Sequence, residues 1–362
     1  CIRDSHLFNM NQKYQLDDLP RAYTELSIEG NIRSLPEDFI VDEELSFSPT
    51  GDGEHIFLQI RKTGKNTEDI ARLLAHHAGV TRKSVSYAGL KDRNAVTTQF
   101  FSVHLPGKED PDWQQLVDSS FKLVSVSRHR KKLRRGALSR NNFCLRIREF
   151  RGVKAIAEQR LQQIKHQGVP NYFTAQRFGQ NANNLFYAEQ MLQNSKRVND
   201  RFKRNIYYSA ARSWLFNLVV AERVRKQTWD KAIAGDSMML SGSRSCFSVE
   251  QVDEEIINRV NEFDINPTAP LCGRGDSMVT AEAAAIETFI LSQWQGWIKG
   301  LEKARMEAAR RALRVGVSDL TWQWDGDDQL VLAFSLPPGS YATAVLRELG
   351  RFTQPKGSSV SQ

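Results

Sequence analysis

Lys91-Asp92-Arg93 sets one carboxylate between two cations, with Gly89 three residues ahead of the aspartate. A carboxylate kept ionised by nearby positive charge is a candidate for nucleophilic or acid–base chemistry. The flanking sequence shows what must position it. Before it, Val85 and Tyr87 alternate with Ser84 and Ser86; after it, Phe101, Val103 and Leu105 alternate with Ser102 and His104. Period-two alternation predicts half-buried strands on both sides. Asp92 then lies in a loop carried by a sheet, a common mounting for catalytic groups. An ordinary solvated turn has the same composition, so the loop alone does not decide.

The rest of the chain narrows the partner. It has 362 residues, room for two domains, and a formal charge of +8, which favours a polyanion. The charge is concentrated: residues 128–151 hold ten Lys or Arg against the one acid Glu149, a net +9. Within it lie Arg128, Arg130, Lys131, Lys132, Arg134 and Arg135, a density expected to contact phosphates rather than form a merely solvated loop. Phe143 follows and could stack on a base or pack in its strand. Residues 37–54 are the opposite, with seven acids and no Lys or Arg, and 196–226 carry nine further cations against Asp200 and Glu222.

Other chemistries find little support. Cys1, Cys144, Cys246 and Cys272 are far apart, with no C-x-x-C pair and no disulfide framework. No glycine-rich nucleotide loop and no Gly-x-Ser-x-Gly elbow occurs. His76-His77 has no carboxylate at zinc-protease spacing, and Gly51-Asp52-Gly53 fits a hairpin turn better than a cation site. No apolar run approaches membrane-spanning length. Residues 1–9, ahead of Met10, read as a leader or tag.

Several elements can be placed. A helix is predicted from Asn66 or Thr67, with Glu68 and Asp69 in its first turn and Gly79 as its cap. A second runs over 153–167, stopped by Gly168 and Pro170, and residues 143–148 alternate as a strand. Beyond Gly168 the texture becomes helical: 209–225 is a strong helix, and 281–314, rich in Ala, Glu, Lys and Arg, reads as helix interrupted at Gly296 or Gly300. Residues 240–249 form a short hairpin. Strands at 321–324 and 330–336 flank an Asp325-Gly326 turn, and a short helix covers 342–349. The whole is an α/β (α+β) domain with a mostly helical insertion. Asn171 to Gly179 mixes aromatics, amides and Arg177, either a phosphate contact or a turn at a domain junction.

Five ordered blocks resemble the tRNA pseudouridine synthase D (TruD) family almost end to end: GNIRSLPEDFIVDE at 30–43, YAGLKDRNAVTTQ at 87–99, RGALSRNNF at 135–143, GVPNYFTAQRFG at 168–179 and LPPGSYAT at 336–343. The resemblance implies a pseudouridine synthase catalytic domain with a mixed, largely antiparallel sheet at 10–166 and 316–354 and a TRUD insertion domain at 167–315; the polar composition of 355–362 reads as a flexible tail. It implies that uridine in tRNA, with uridine 13 of the D arm expected, is isomerised by breaking the N1–C1′ bond, turning the base and rejoining it through C5. Asp92 matches the catalytic aspartate. Arg33, where a Lys is also familiar, is expected to hold its charge. Phe39, Asn94, Phe143 and Tyr341 are expected around the flipped-out base, Tyr341 standing where relatives carry Phe. Lys91, Arg93, the basic segment and Arg177 are expected on RNA. Isomerisation gains and loses no atoms, so no metal, ATP or redox cofactor is expected. The expected partner is tRNA, with no membrane, and the expected state a cytoplasmic monomer. Two other classes compete: an RNA-binding protein without the chemistry, and a nucleic-acid hydrolase needing a second carboxylate or metal ligands near Asp92.

Overall fold

The computed structural model describes residues 14–118, 120–134, 136–194 and 196–355. The expected leader at 1–9, Arg135 and all but the first residue of the expected tail lie outside the described residues. In chain order the strands are β1 Glu29–Ile32, β2 Phe39–Leu45, β3 His55–Thr63, β4 Val85–Tyr87, β5 Val96–His104, β6 Phe121–His129, β7 Leu138–Arg151, β8 Val169–Pro170, β9 Ser237–Leu240, β10 Cys246–Ser248, β11 Ile265–Leu271, β12 Ala309–Ala312, β13 Arg314–Val315, β14 Ser318–Trp324, β15 Leu330–Leu336 and β16 Arg351–Thr353.

The chain folds as two compact units. One comprises residues 26–161, 317–339 and 349–355; the other comprises 14–25, 162–316 and 340–348. Segments 14–25 and 340–348, read in the sequence as catalytic-domain chain, thus belong with the second unit.

The first unit is built on a mixed 10-stranded sheet with the path β14-β15-β7-β2-β5-β3-β6, β1 and β4 pairing beside it and β16 on β1. Two pairings are parallel, β2 with β5 and β1 with β16; the others are antiparallel. Helix Thr67–His77 starts after Asn66 with Glu68 and Asp69 in its first turn. It buries Ile70, Ala71 and Leu74 in one core cluster with Ile56, Leu58, Ile60, Phe101 and Val103. These are alternate residues of β3 and β5, so one sheet face and one helix stripe close a core. The Gly51-Asp52-Gly53 segment is not a hairpin turn: β2 and β3 are separated by β5, and the segment crosses between them.

The second unit is less purely helical than expected. Helix Arg201–Arg225 is its spine, capped by Asp200 and burying Trp214, Leu215, Phe216 and Val220. A four-stranded sheet, β10-β9-β11-β12, and the β8–β13 pair accompany it. The helix read over 281–314 is two helices and two strands. Helix Ala281–Leu291 gives way at a 3-10 turn, Ser292–Trp294, to helix Gln295–Lys303. Gly296 and Gly300 lie inside that second helix, and Gly300 is there for closeness, since a Cβ on it would stand 2.8 Å from Leu192. Arg305 then takes a left-handed turn (φ 57), and β12 joins β11 with Ala312 opposite Thr268. Composition favours helix over 304–314, but strand pairing overrides it.

Candidate active site

Strand β2 brings the expected residues of the first unit together. Its Ile40 pairs with Val96 at the start of β5, just after the Asp92 loop. Its other edge pairs with β7, placing Val41 opposite Phe143 and Glu43 opposite Asn141. Arg33 leads into β2 through the 3-10 turn Pro36–Asp38. Segments far apart in the chain therefore meet at one end of one strand.

Arg33 and Asp92 form an ion pair, with Nη1 2.8 Å from Oδ2; the arginine side chain is 7% exposed and the aspartate 26%. The Arg33 guanidinium also lies 4.0 Å from the centre of the Phe39 ring, which adds a cation–π contact. Burial lowers the Arg33 pKa, and the Asp92 charge pulls it back up. The Arg33 backbone is left-handed (φ 57), a conformation that costs a non-glycine residue about 1–2 kcal/mol. Phe39 meets Phe143 edge to face at 6.3 Å, and Phe143 stacks on Phe334 at 5.4 Å. Such pairs contribute about 0.5–1.5 kcal/mol each beyond burial.

The loop is anchored from several directions. Asp92 Oδ1 accepts from the Asn94 amide at 3.0 Å, a local turn that orients the carboxylate. Gln99 donates to the Gly89 carbonyl at 2.7 Å and accepts from the Thr67 hydroxyl at 2.9 Å. Thr67 in turn accepts from the Lys91 amide at 3.0 Å. The Lys91 ammonium is turned inward, 2.9 Å from Glu43 and 2.6 Å from Asn141 Oδ1. That inward role differs from the phosphate contact expected of it. Arg93 donates to the Gly64 carbonyl at 2.9 Å.

Lys62 and Thr67 lie outside every motif in the sequence, and Glu43, Gln99 and Asn141, though inside the resembling blocks, are given no role by the resemblance. Two of them carry a subtler signal. In β2 the inward residues are Phe39, Val41 and Glu43; in β3 they are Ile56, Leu58, Ile60 and Lys62. A charge continuing a buried apolar alternation marks a partnered group rather than a surface one.

The basic segment is less uniform than its composition. Arg130 pairs with Asp52 at 2.8 Å, Arg140 with Glu44 at 2.7 Å and Arg148 with Asp38 at 2.7 Å. The acid-rich stretch 37–54 thus lies against the cation-rich one. Arg128 pairs with Asp110 at 2.6 Å, Arg146 with Asp325 and Arg151 with Glu29 at 3.4 Å. Lys131, Lys132 and Arg134 are exposed in the turn between β6 and β7, with no ion pair to another described residue.

Tyr341 and Arg177 lie in the second unit. The Tyr341 hydroxyl accepts from Arg177 Nε at 3.1 Å, and its ring meets Phe173 edge-on at 5.9 Å. Arg177 also donates to Ser209 at 3.1 Å. Arg311 stacks on the same Phe173, its guanidinium 4.2 Å from the ring centre, and burial pushes its pKa down to about 10. Among the described residues no helix is long and apolar enough to cross a membrane, and no His, Cys, Asp or Glu group is arranged to hold a metal ion.

Known proteins resemble the chain along nearly its whole length. The family described as tRNA pseudouridine synthase D (TruD) matches residues 20–198 and 183–349. Proteins named tRNA pseudouridine synthase D are similar in Methylococcus capsulatus, at 48% identity over 94% of this chain and 96% of that one, and in Aeromonas hydrophila, at 45% over 92% and 94%. A crystal structure of a Methanosarcina mazei protein assigned to tRNA pseudouridine synthase D (TruD) has a TM-score of 0.68 at 21% identity, covering 91% of this chain and 95% of that one. That likeness is one of fold.

Proposed function

We propose that this chain, which belongs to the tRNA pseudouridine synthase D (TruD) family and so isomerises uridine to pseudouridine in tRNA, uses Asp92 as its catalytic carboxylate and acts at uridine 13 of the D arm. The observation that carries the Asp92 assignment is its pairing with Arg33. A buried cation stands 2.8 Å from the carboxylate, while a quarter of the aspartate side chain stays open to solvent. The same carboxylate serves two routes. As a nucleophile it displaces uracil N1 from ribose C1′ or adds at uracil C6 across the C5–C6 double bond; as a base it takes the ribose C2′ proton while the N1–C1′ bond breaks, leaving a glycal and free uracil. Arg33 supports the charge in either route. Phe39, Phe143 and Asn94 are the base-side groups of this unit; Tyr341 belongs to the second unit, and its role at the base is carried by the family resemblance alone. A uridine within a stem must leave its stack to reach any of them, and aromatic faces receive such a base. Lys131, Lys132 and Arg134, aided by Arg93, Arg128 and Arg130, contact the phosphates from the first unit, and Arg177 is a separate RNA contact of the second.

The experiment is Asp92→Asn, assayed for pseudouridine formation and for tRNA binding. Isomerisation is expected to stop while binding survives; full activity in the variant overturns the assignment. Mapping pseudouridine in tRNA treated with the wild-type protein tests the position: modification anywhere but uridine 13 overturns that part alone.

A further inference from the structure

Lys62 is a charged residue in an apolar place. It follows Ile56, Leu58 and Ile60 on the inward face of β3, and its residue is 1% exposed. Its ammonium donates to the Lys65 carbonyl at 2.8 Å and, more loosely, to the Asp92 carbonyl at 3.4 Å. These two carbonyls belong to the turn before helix Thr67–His77 and to the Asp92 loop. The same two segments are joined again beside it: the Gly64 amide donates to the Arg93 carbonyl at 3.2 Å, and Arg93 Nε donates to the Gly64 carbonyl at 2.9 Å. One buried ammonium therefore sits in the seam that holds the Asp92 loop against the sheet.

We propose that Lys62 is a positioning residue for the isomerisation: its ammonium clamps the Asp92 backbone and places a positive charge behind the loop, so that turnover requires Lys62 protonated. The proposal rests on Asp92 being the catalytic carboxylate. Surrounding charges are mixed. Asp92, Glu43 on β2 and Asp69 on the helix favour the ammonium, while Lys91 opposes it. The other cations at the seam are engaged, Lys65 with Asp118 at 2.8 Å and Arg93 with the Gly64 carbonyl. Burial outweighs the acids and brings the Lys62 pKa down to about 8, within reach of an ordinary pH titration. A neutral amine still has two protons to donate, so deprotonation removes the charge and weakens the clamp without emptying the space.

The test is a pH profile of kcat for wild type and for Lys62→Met, which keeps the apolar stem and removes the ammonium. Wild-type kcat is expected to fall through a single ionisation near pH 8. The Met variant should be about 10- to 100-fold slower at pH 7, flat from pH 7 to 9, and unchanged in tRNA affinity. Lys62→Gln, a donor without a charge, should behave like Met. A merely structural lysine would alter the melting temperature and leave the shape of the profile alone. Wild-type kcat in either variant, or the wild-type alkaline limb persisting in the Met variant, overturns the proposal. So does a wild-type profile with no limb near pH 8, a measurement that needs no variant to fold. Asp92→Asn separates the two readings. If that variant is active, the underlying assignment fails; if it is dead while Lys62→Met is fully active, only the Lys62 inference fails.

Discussion

Each unit contains a buried arginine facing an aspartate, and the two pairs are built differently. In the second unit Arg223 holds Asp236 through two bonds, at 2.8 and 2.9 Å, with side chains 3% and 0% exposed. Its remaining donors go to the carbonyls of Thr228 and Lys231, and Asp236 also accepts from the Ile233 amide. That pair is saturated and has nothing to offer a substrate. In the first unit Arg33 reaches Asp92 through Nη1, and its buried Nε has no hydrogen-bond acceptor among the described residues. The aspartate keeps part of its surface in solvent. An ion pair closed on all sides organises a fold; one left open on the carboxylate side leaves that group accessible to a ligand.

The largest expected effect separates the pairs by what each loses. Asp92→Asn should lower turnover by about 10^3-fold or more with little change in melting temperature. Asp236→Ala should cost about 3–5 kcal/mol of stability, because it strands the Arg223 charge in the interior. Turnover per folded molecule should stay near wild type. Chemical denaturation and single-turnover assays on both variants check this. A stable but inactive Asp236→Ala protein would erase the distinction.

Arg33 variants sharpen it. Arg33→Met should lower turnover by about 100-fold, and Arg33→Lys, which keeps the charge but not the planar contact with Phe39, by about 10-fold. If the Lys and Met variants are equal, the charge of Arg33 is not what Asp92 needs.

Next come the cations. Reversing Lys131, Lys132 and Arg134 to Glu should weaken tRNA binding and flatten its salt dependence, by roughly one unit of slope for each phosphate no longer neutralised. Arg148→Gln, which breaks a pair with Asp38, should leave the slope unchanged and reduce stability instead. Equal slopes for the two variants would mean that exposure does not distinguish these cations.

The smallest effect belongs to the exposed pair Lys65–Asp118. Contacts with Lys65 and Ser120 lower the Asp118 pKa from 3.8 to about 2. Its folded pKa is depressed, so its contribution is present above pH 3.8 and disappears as pH falls through about 2. Solvent screening keeps Asp118→Asn below about 1 kcal/mol at neutral pH. Urea melts at pH 7 and pH 2 should show that small gap closing.

The sequence and the structure agree where the pattern is local. The strands beside Asp92, helix Thr67–His77 and the β14–β15 hairpin follow from alternation, caps and turn residues that lie within a few positions of one another. What stays hidden depends on strand pairing across long separations. The +9 of the basic segment reads as an open patch because Asp38, Glu44 and Asp52, which pair with Arg148, Arg140 and Arg130, are distant in the chain. Residues 309–312 read as helical because their pairing to β11 leaves no mark in composition. Lys62 resembles any strand-surface charge until the alternation of β3 is followed to its end, which places it inward.

The order in which β7 gains its neighbours bears on how the enzyme is made. β7 pairs with β2 on one edge and with β15 on the other, and Phe143 stacks on Phe334 from β15. β15 follows the end of β7 by about 180 residues, which at about 5–20 residues per second takes roughly ten to forty seconds of translation. Throughout that interval the nascent chain carries the Asp92 loop beside a strand with one unpaired edge and an uncovered aromatic. On the ribosome, therefore, the segment that carries the Asp92 loop waits, adhesive and incomplete, for a hairpin still to be synthesised.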